Sequence, residues 1–306
     1  MEIKFNEFQY LMRFKAADGF TVSAYLMPAD CGDDTDLMEV PVLLQIHGLL
    51  GHFLSRGTPR QLPRALYKKG YSSLSINTRL AYAGQINGTG IFDDTIKDID
   101  AAIAFLNDRG FRNIFILGYS LGAAMLVYWA SQRKEENVRG LILEGAHYSI
   151  PDSWKNDFHK WGSTPSYEEL YEKAKTVLGD DPYNSPNDET FVVYQSRGPN
   201  HEPISSEIFT YKTWWFMAGP EAGNAMAYKH IGKVKLPILI LRGVDDFLVE
   251  DWEPGALKKI ARDAGNKNVK MIDVPGARHD CMENSVVMMQ HIVEMFSEDS
   301  KYKEGS

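Results

Sequence analysis

The sequence predicts an α/β protein: a doubly wound, mostly parallel sheet with one inserted subdomain. Three observations carry this. Short apolar runs recur along the chain, and several are continuous rather than alternating, as strands covered on both faces require. Between them lie segments with apolar residues at spacings of three and four, the pattern of crossover helices. One long stretch then breaks the alternation.

In chain order, residues 20–26 alternate and predict an antiparallel hairpin at the sheet edge. The runs 42–46 and 72–76 predict the first buried strands. Over 92–108, Ile96, Ile99, Ile103 and Leu106 form one stripe that stops at Asn107-Asp108-Arg109-Gly110, which predicts a helix. Strand 114–117, helix 121–133 and strand 141–143 follow. After Ser149 no clear buried strand begins until Pro237. Strand 238–241, helix 251–263, strand 269–274 and helix 281–297 complete the alternation.

Residues 1–148 and 231–306 are therefore assigned to the core, and 149–230 to an insertion. The insertion holds four of the six tryptophans (Trp154, Trp161, Trp214 and Trp215) and is rich in turn prolines, among them Pro151, Pro165, Pro182, Pro186, Pro199 and Pro203. That composition suits a cap over a pocket, although a small subdomain also needs aromatics for its own core. Trp214-Trp215-Phe216 is a binding candidate, of which one or two residues can face a ligand because adjacent helical side chains diverge.

The 306 residues are 44% hydrophobic and 24% charged, which excludes a disordered, collagenous or membrane-spanning chain. The net charge of −8 disfavours nucleic acid and anionic lipid as partners. The two cysteines, Cys31 and Cys281, are far apart and accompany no metal-ligand cluster, so a reducing compartment and no metal are expected. The N-terminus has no apolar leader and no run is long enough to span a bilayer, so a cytoplasmic protein without membrane insertion is expected. The polar residues 301–306 are expected to lie outside the fold.

Gly118-Tyr119-Ser120-Leu121-Gly122 matches G-x-S-x-G, a pattern that chance also produces. Context sharpens it, because a buried strand ends at Gly118 and a helix begins at Leu121. Gly118, Gly122, Ala123 and Ala124 supply the room that a strained strand-to-helix turn needs. A serine hydroxyl needs a base to take its proton, and the base needs a carboxylate to orient it. His279 ends the loop after strand 269–274, and the loop after strand 238–241 offers Asp245 and Asp246.

In these features the chain resembles the α/β-hydrolase superfamily. The elbow at 118–122, the acid loop Gly243-Val244-Asp245-Asp246 and the histidine loop Gly276-Ala277-Arg278-His279 stand in family order, and the likeness covers most of 40–148 and 231–298. The resemblance implies a Ser120-His279-Asp246 triad, since the family's acid commonly stands three residues after the strand-exit glycine. Asp245 is the next choice, and Glu144, at the end of the sixth core strand, a third. The run Gln45-Ile46-His47-Gly48-Leu49-Leu50-Gly51 resembles the family's oxyanion loop, which implies the amides of Leu49 and Leu121 as the donors. By the same likeness His47 and Arg79 are structural. Cys281 reads as a buried apolar residue, Met288, Met289 and Met295 as packing of the last helix, and His147 and Tyr148 as pocket edge or packing.

The function expected is a serine hydrolase cleaving a carboxylic ester of a small or aromatic acyl group through an acyl-enzyme. The cap resembles in placement those of feruloyl and cinnamoyl esterases. A small-molecule ester is the expected partner, with no cofactor. Two alternatives stand beside it: a carbon–carbon bond hydrolase of ring-cleavage diketones, and a ligand-binding receptor on a hydrolase fold.

Overall fold

The computed structural model describes residues 10–29, 40–86, 88–195 and 205–303, with side chains described to residue 297. Cys31 and residues 304–306 lie outside the described residues. The strands are β1 (Tyr10–Lys15), β2 (Thr21–Met27), β3 (Val42–Ile46), β4 (Ser72–Asn77), β5 (Ile114–Tyr119), β6 (Val138–Glu144), β7 (Thr190–Gln195), β8 (Ser205–Thr210), β9 (Ile238–Gly243) and β10 (Val269–Val274). The helices are α1 (Thr58–Tyr67), α2 (Thr95–Asp108), α3 (Leu121–Gln132), α4 (Ile150–Lys160), α5 (Tyr167–Leu178), α6 (Tyr211–Met217), α7 (Glu253–Asp263) and α8 (Ser285–Lys303).

Eight strands form one sheet in the order β1-β2-β4-β3-β5-β6-β9-β10. The β1/β2 and β2/β4 pairs are antiparallel and the rest parallel, so the alternating segment at 20–26 does form an edge hairpin. Strand β3 sits between β4 and β5, with Leu44 opposite both Leu74 and Ile116. Chain order reverses at this point, and the crevice outside the carboxyl ends of β3 and β5 is where such sheets bind ligands.

The continuous apolar strands are explained by the two cores they serve. Leu44, Ile46, Ile116, Leu141 and Ile240 face one side, where Ile99, Ile103 and Leu106 of α2, Trp129 of α3 and Leu257 of α7 pack. Leu43, Phe115, Leu117, Ile142 and Leu241 face the other, against Leu62 and Leu66 of α1 and Met288, Met289, Ile292 and Phe296 of α8. Cys281 is fully buried in this second core.

Two helices differ from expectation. The segment of α1 carries Pro59 and Pro63, and a proline inside a helix removes a backbone donor, which hid the helix. The last helix runs on to Lys303, past residue 297 and into the polar tail. No described helix is long and apolar enough to cross a membrane.

Between β6 and β9 the chain forms α4, α5, the β7–β8 hairpin and α6. Its apolar residues, among them Trp154, Phe158, Tyr167, Phe191, Phe209 and Trp214, join the same cluster as the α2 and α3 face of the sheet. Short 3-10 turns at Gly223–Ala225 and Ile231–Lys233 then pack against α3.

Candidate active site

Strand β5 ends at Tyr119 and α3 starts at Leu121, which leaves Ser120 alone on the turn with φ 54° and ψ −119°. That left-handed φ is unfavourable for a residue with a Cβ and persists only where the surroundings fix it. Here the Ser120 N–H donates to the Glu144 carbonyl at 2.8 Å, and its own carbonyl accepts from the Ala123 N–H at 2.9 Å. The turn also needs bare neighbours. A Cβ on Gly118 would lie 2.3 Å from the Gly122 carbonyl oxygen, and one on Gly122 would lie 2.6 Å from that of His47.

The β9 and β10 exit loops are tied together, the Asp245 N–H donating to the Ala277 carbonyl at 2.9 Å. This brings Asp246 to His279, whose Nδ1 lies 2.8 Å from Asp246 Oδ2. An ionised carboxylate only accepts, so Nδ1 carries the proton and Nε2 presents its lone pair. Nε2 is buried and has no hydrogen-bond partner among the described residues. Asp246 Oδ1 accepts from the Leu248 and Val249 N–H groups at 2.9 and 3.3 Å. Burial pushes this carboxyl up, but the His279 hydrogen bond and charge and the Leu248 amide outweigh it, leaving it below the ordinary carboxylate range.

The other two acids stand elsewhere. Asp245 is exposed. Glu144 is fully buried and directs Oε1 to Thr58 and the Cys281 N–H rather than to the imidazole.

Leu49, from the loop after β3, and Leu121, at the start of α3, line one cavity with Ser120 and His279. His47 holds the Leu49 loop. Its Nε2 accepts from the Thr78 N–H at 3.2 Å, so Nδ1 carries the proton and donates to the Gly48 carbonyl at 2.8 Å. Burial lowers its pKa to about 4, keeping it neutral. Arg79 likewise serves the framework, pairing with Asp98 at 2.8 Å and Asp18 at 2.9 Å.

The cavity has a volume of about 170 Å³. Its far wall is one face of α4: Ile150, Ser153, Trp154, Asp157 and Phe158, with Trp161 just beyond the helix. These fall at spacings of three and four, a periodicity legible in the sequence, unlike the lining role expected of the Trp214-Trp215-Phe216 run. None of those three lines the cavity. Trp214 is fully buried, Trp215 stacks on Tyr171 with centroids 5.6 Å apart, and Phe216 meets Tyr183 edge-on. Packing within the insertion claims them.

His147 and Tyr148 part company. Tyr148 stacks on Tyr228 at 4.6 Å. His147 lines the cavity, its ring 5.7 Å from that of His279 and its Nδ1 3.0 Å from Ser153 Oγ. Burial, with the neighbouring His279 charge, drives its pKa down to about 3. Among the described residues no cluster of three His, Cys, Asp or Glu side chains is arranged to hold a metal ion.

Comparison with known proteins follows the same lines. The curated relatives include 2-succinyl-6-hydroxy-2,4-cyclohexadiene-1-carboxylate synthase of Yersinia pestis, 26% identical over 182 residues, or 55% of this chain. The match spans 61% of that relative's length. Among solved structures, the esterase Pf2001 of Pyrococcus furiosus superposes with a TM-score of 0.61 at 16% identity, covering 95% of this chain and 90% of that one. Est1E of Butyrivibrio proteoclasticus gives 0.60 at 16% identity, covering 94% and 99%. At such identities the likeness concerns the fold. The family model of the serine aminopeptidases, S33, matches residues 39–285, which take in the Ser120, Asp246 and His279 loops, and the chain therefore belongs to that hydrolase family and carries the α/β-hydrolase fold.

Proposed function

We propose that the chain is a serine esterase acting on small or aromatic acyl groups. His279 Nε2 takes the Ser120 proton as Oγ attacks the carbonyl, the Leu49 and Leu121 amides hold the oxyanion, and His279 returns the proton to the leaving alcohol. Water then repeats the cycle on the acyl-enzyme. Asp246 holds the imidazole in the productive tautomer and stabilises its charged form.

One observation carries this reading: the His279–Asp246 hydrogen bond leaves Nε2 unpartnered in the cavity that Ser120 lines. The cavity size supports the acyl class. An apolar cavity of about 150 Å³ holds one benzene ring, and this one measures about 170 Å³. The esterase neighbours, including Est1E solved with ferulic acid bound, point the same way. The insertion, which supplies the α4 wall, acts in this reading as the cap.

The test is a series of nitrophenyl esters from acetate to decanoate with methyl ferulate, run on wild type and Ser120→Ala. Turnover of the short and aromatic esters should vanish in the variant while its fold is kept. Hydrolysis at the wild-type rate in Ser120→Ala would remove the serine from the mechanism. The Yersinia relatives favour a second reading, chemistry on a carbon skeleton, because their name is that of a synthase of a cyclic carboxylate. Turnover of a ring-cleavage diketone, with none of any ester, would decide for it.

A further inference from the structure

Beneath Ser120 and His279 lies a buried acid that the reaction above does not use. Glu144 closes β6, and it touches both loops of the site. Its carbonyl accepts the Ser120 N–H at 2.8 Å, and its Oε1 accepts the Cys281 N–H, two residues beyond His279, at 2.9 Å.

The third contact fixes a proton. Thr58 Oγ1 lies 2.7 Å from Glu144 Oε1 and 2.8 Å from Asp280 Oδ1. A hydroxyl has one proton to donate, so it serves one of these oxygens, and the other contact needs a proton brought by a carboxyl group. Asp280 Oδ1 also accepts the Met282 N–H at 2.9 Å. The two acids differ in depth, Glu144 being fully buried and Asp280 half-buried. Glu144 Oε2 is buried with no partner among the described residues, and burial, with the nearby Asp280 charge, pushes the Glu144 pKa up to about 8. A proton on Glu144 Oε1 satisfies every contact: Glu144 donates to Thr58, Thr58 donates to Asp280, and the Cys281 N–H keeps a lone pair on Oε1.

We propose that Glu144 is a positioning residue which, as a neutral acid, shares one proton with Asp280 through Thr58 and so clamps the Ser120 turn to the His279 loop. The proposal rests on the roles given above to Ser120 and His279. Around the cluster stand Tyr119 on β5, Asp246 on the β9 loop, and His279, Asp280 and Cys281 on the β10 loop. Burial, reinforced by the carboxylates, holds the Tyr119 and Cys281 side chains neutral. Loss of the proton leaves two carboxylates on one hydroxyl, and their repulsion falls on the residue next to His279.

The experiment compares wild type, Glu144→Gln and Glu144→Ala from about pH 5 to about pH 9.5, by ester kinetics and by thermal melting. Glutamine keeps an acceptor for the Cys281 N–H and cannot ionise. In wild type, kcat should fall about tenfold through an alkaline step near pH 8, with KM little changed. The step should be absent in Glu144→Gln, which rescues most of a roughly tenfold loss seen in Glu144→Ala at neutral pH. Because its folded pKa is raised, Glu144 contributes stability that is present below its unfolded value and is lost as pH rises through about 8. Wild-type melting temperature should therefore fall with rising pH relative to Glu144→Gln. Parallel melting curves overturn the shared proton, and an alkaline step that persists in Glu144→Gln overturns the positioning role. If Ser120→Ala hydrolyses esters at the wild-type rate, the reading of Ser120 fails, while the melting curves still decide the proton.

Discussion

Replacing Asp246 by asparagine tests the site at its most constrained point. The side chain has two oxygens with different work: Oδ1 accepts two backbone N–H groups, from Leu248 and Val249, and Oδ2 accepts His279 Nδ1. An asparagine must keep its carbonyl on the two N–H donors, because turning its NH2 toward them would set donor against donor. Its NH2 then faces His279 and donates to Nδ1. That forces the imidazole proton onto Nε2, the nitrogen that must accept the Ser120 proton, so the base is held in the wrong tautomer. An equivalent loss of tautomer in serine proteases costs about ten-thousand-fold in kcat, which corresponds to about 5.5 kcal/mol of barrier. The same should hold here, with the fold kept because the two backbone bonds survive. The assay is steady-state hydrolysis of the best nitrophenyl ester, with Asp245→Asn as comparison. That exposed residue should change kcat by no more than about twofold. Asp246→Asn within about tenfold of wild type, or a larger loss at Asp245, would refute the assignment.

Other outcomes follow from the same geometry. Trp161→Ala, which opens the cavity wall, should raise kcat/KM for long acyl chains relative to acetate by about tenfold; an unchanged chain-length profile would mean that this wall does not bound the acyl site. His147 is held neutral, its pKa of about 3 lying below the unfolded value of 6.5, so its contribution to stability is present above pH 6.5 and lost as pH falls toward 3. Urea unfolding of His147→Gln should therefore lack up to about 1.4 kcal/mol per pH unit of the wild-type acid destabilisation; equal slopes would contradict the burial argument. Gly122→Ala sets a Cβ 2.6 Å from a backbone oxygen that cannot move aside, and should cost about 3 kcal/mol. Gly223→Ala, with nothing nearer than 3.6 Å, is the control.

Much of the molecule is decided by local pattern. The continuous runs at β3, β5, β6 and β9 could be buried only between two helix layers, so the parallel sheet followed from them. The elbow was legible because its chemistry is local: a serine between a strand and a helix, flanked by glycines whose missing Cβ atoms are visible as letters. The resemblance to the α/β-hydrolase superfamily also preferred Asp246 to Asp245. Only the folded chain supplies the reason, since it brings Asp246 Oδ2 to 2.8 Å from His279 Nδ1 and leaves Asp245 exposed.

What the sequence could not decide depends on which side chains meet across long separations. The run Trp214-Trp215-Phe216 looked like a ligand surface, yet apolar side chains go wherever they bury most area: Trp214 is fully buried, and the half-buried Trp215 and Phe216 pack on Tyr171 and Tyr183. The α4 stripe, equally periodic, faces the cavity instead, and periodicity marks a buried face without saying what covers it. Glu144 is the clearest case. By sequence it is an acid at a strand end, whereas its burial and its contacts with Thr58 and Cys281, 86 and 137 residues away, exist only after folding. Ionisation responds to the local dielectric and to neighbouring charges, which tertiary structure alone assembles.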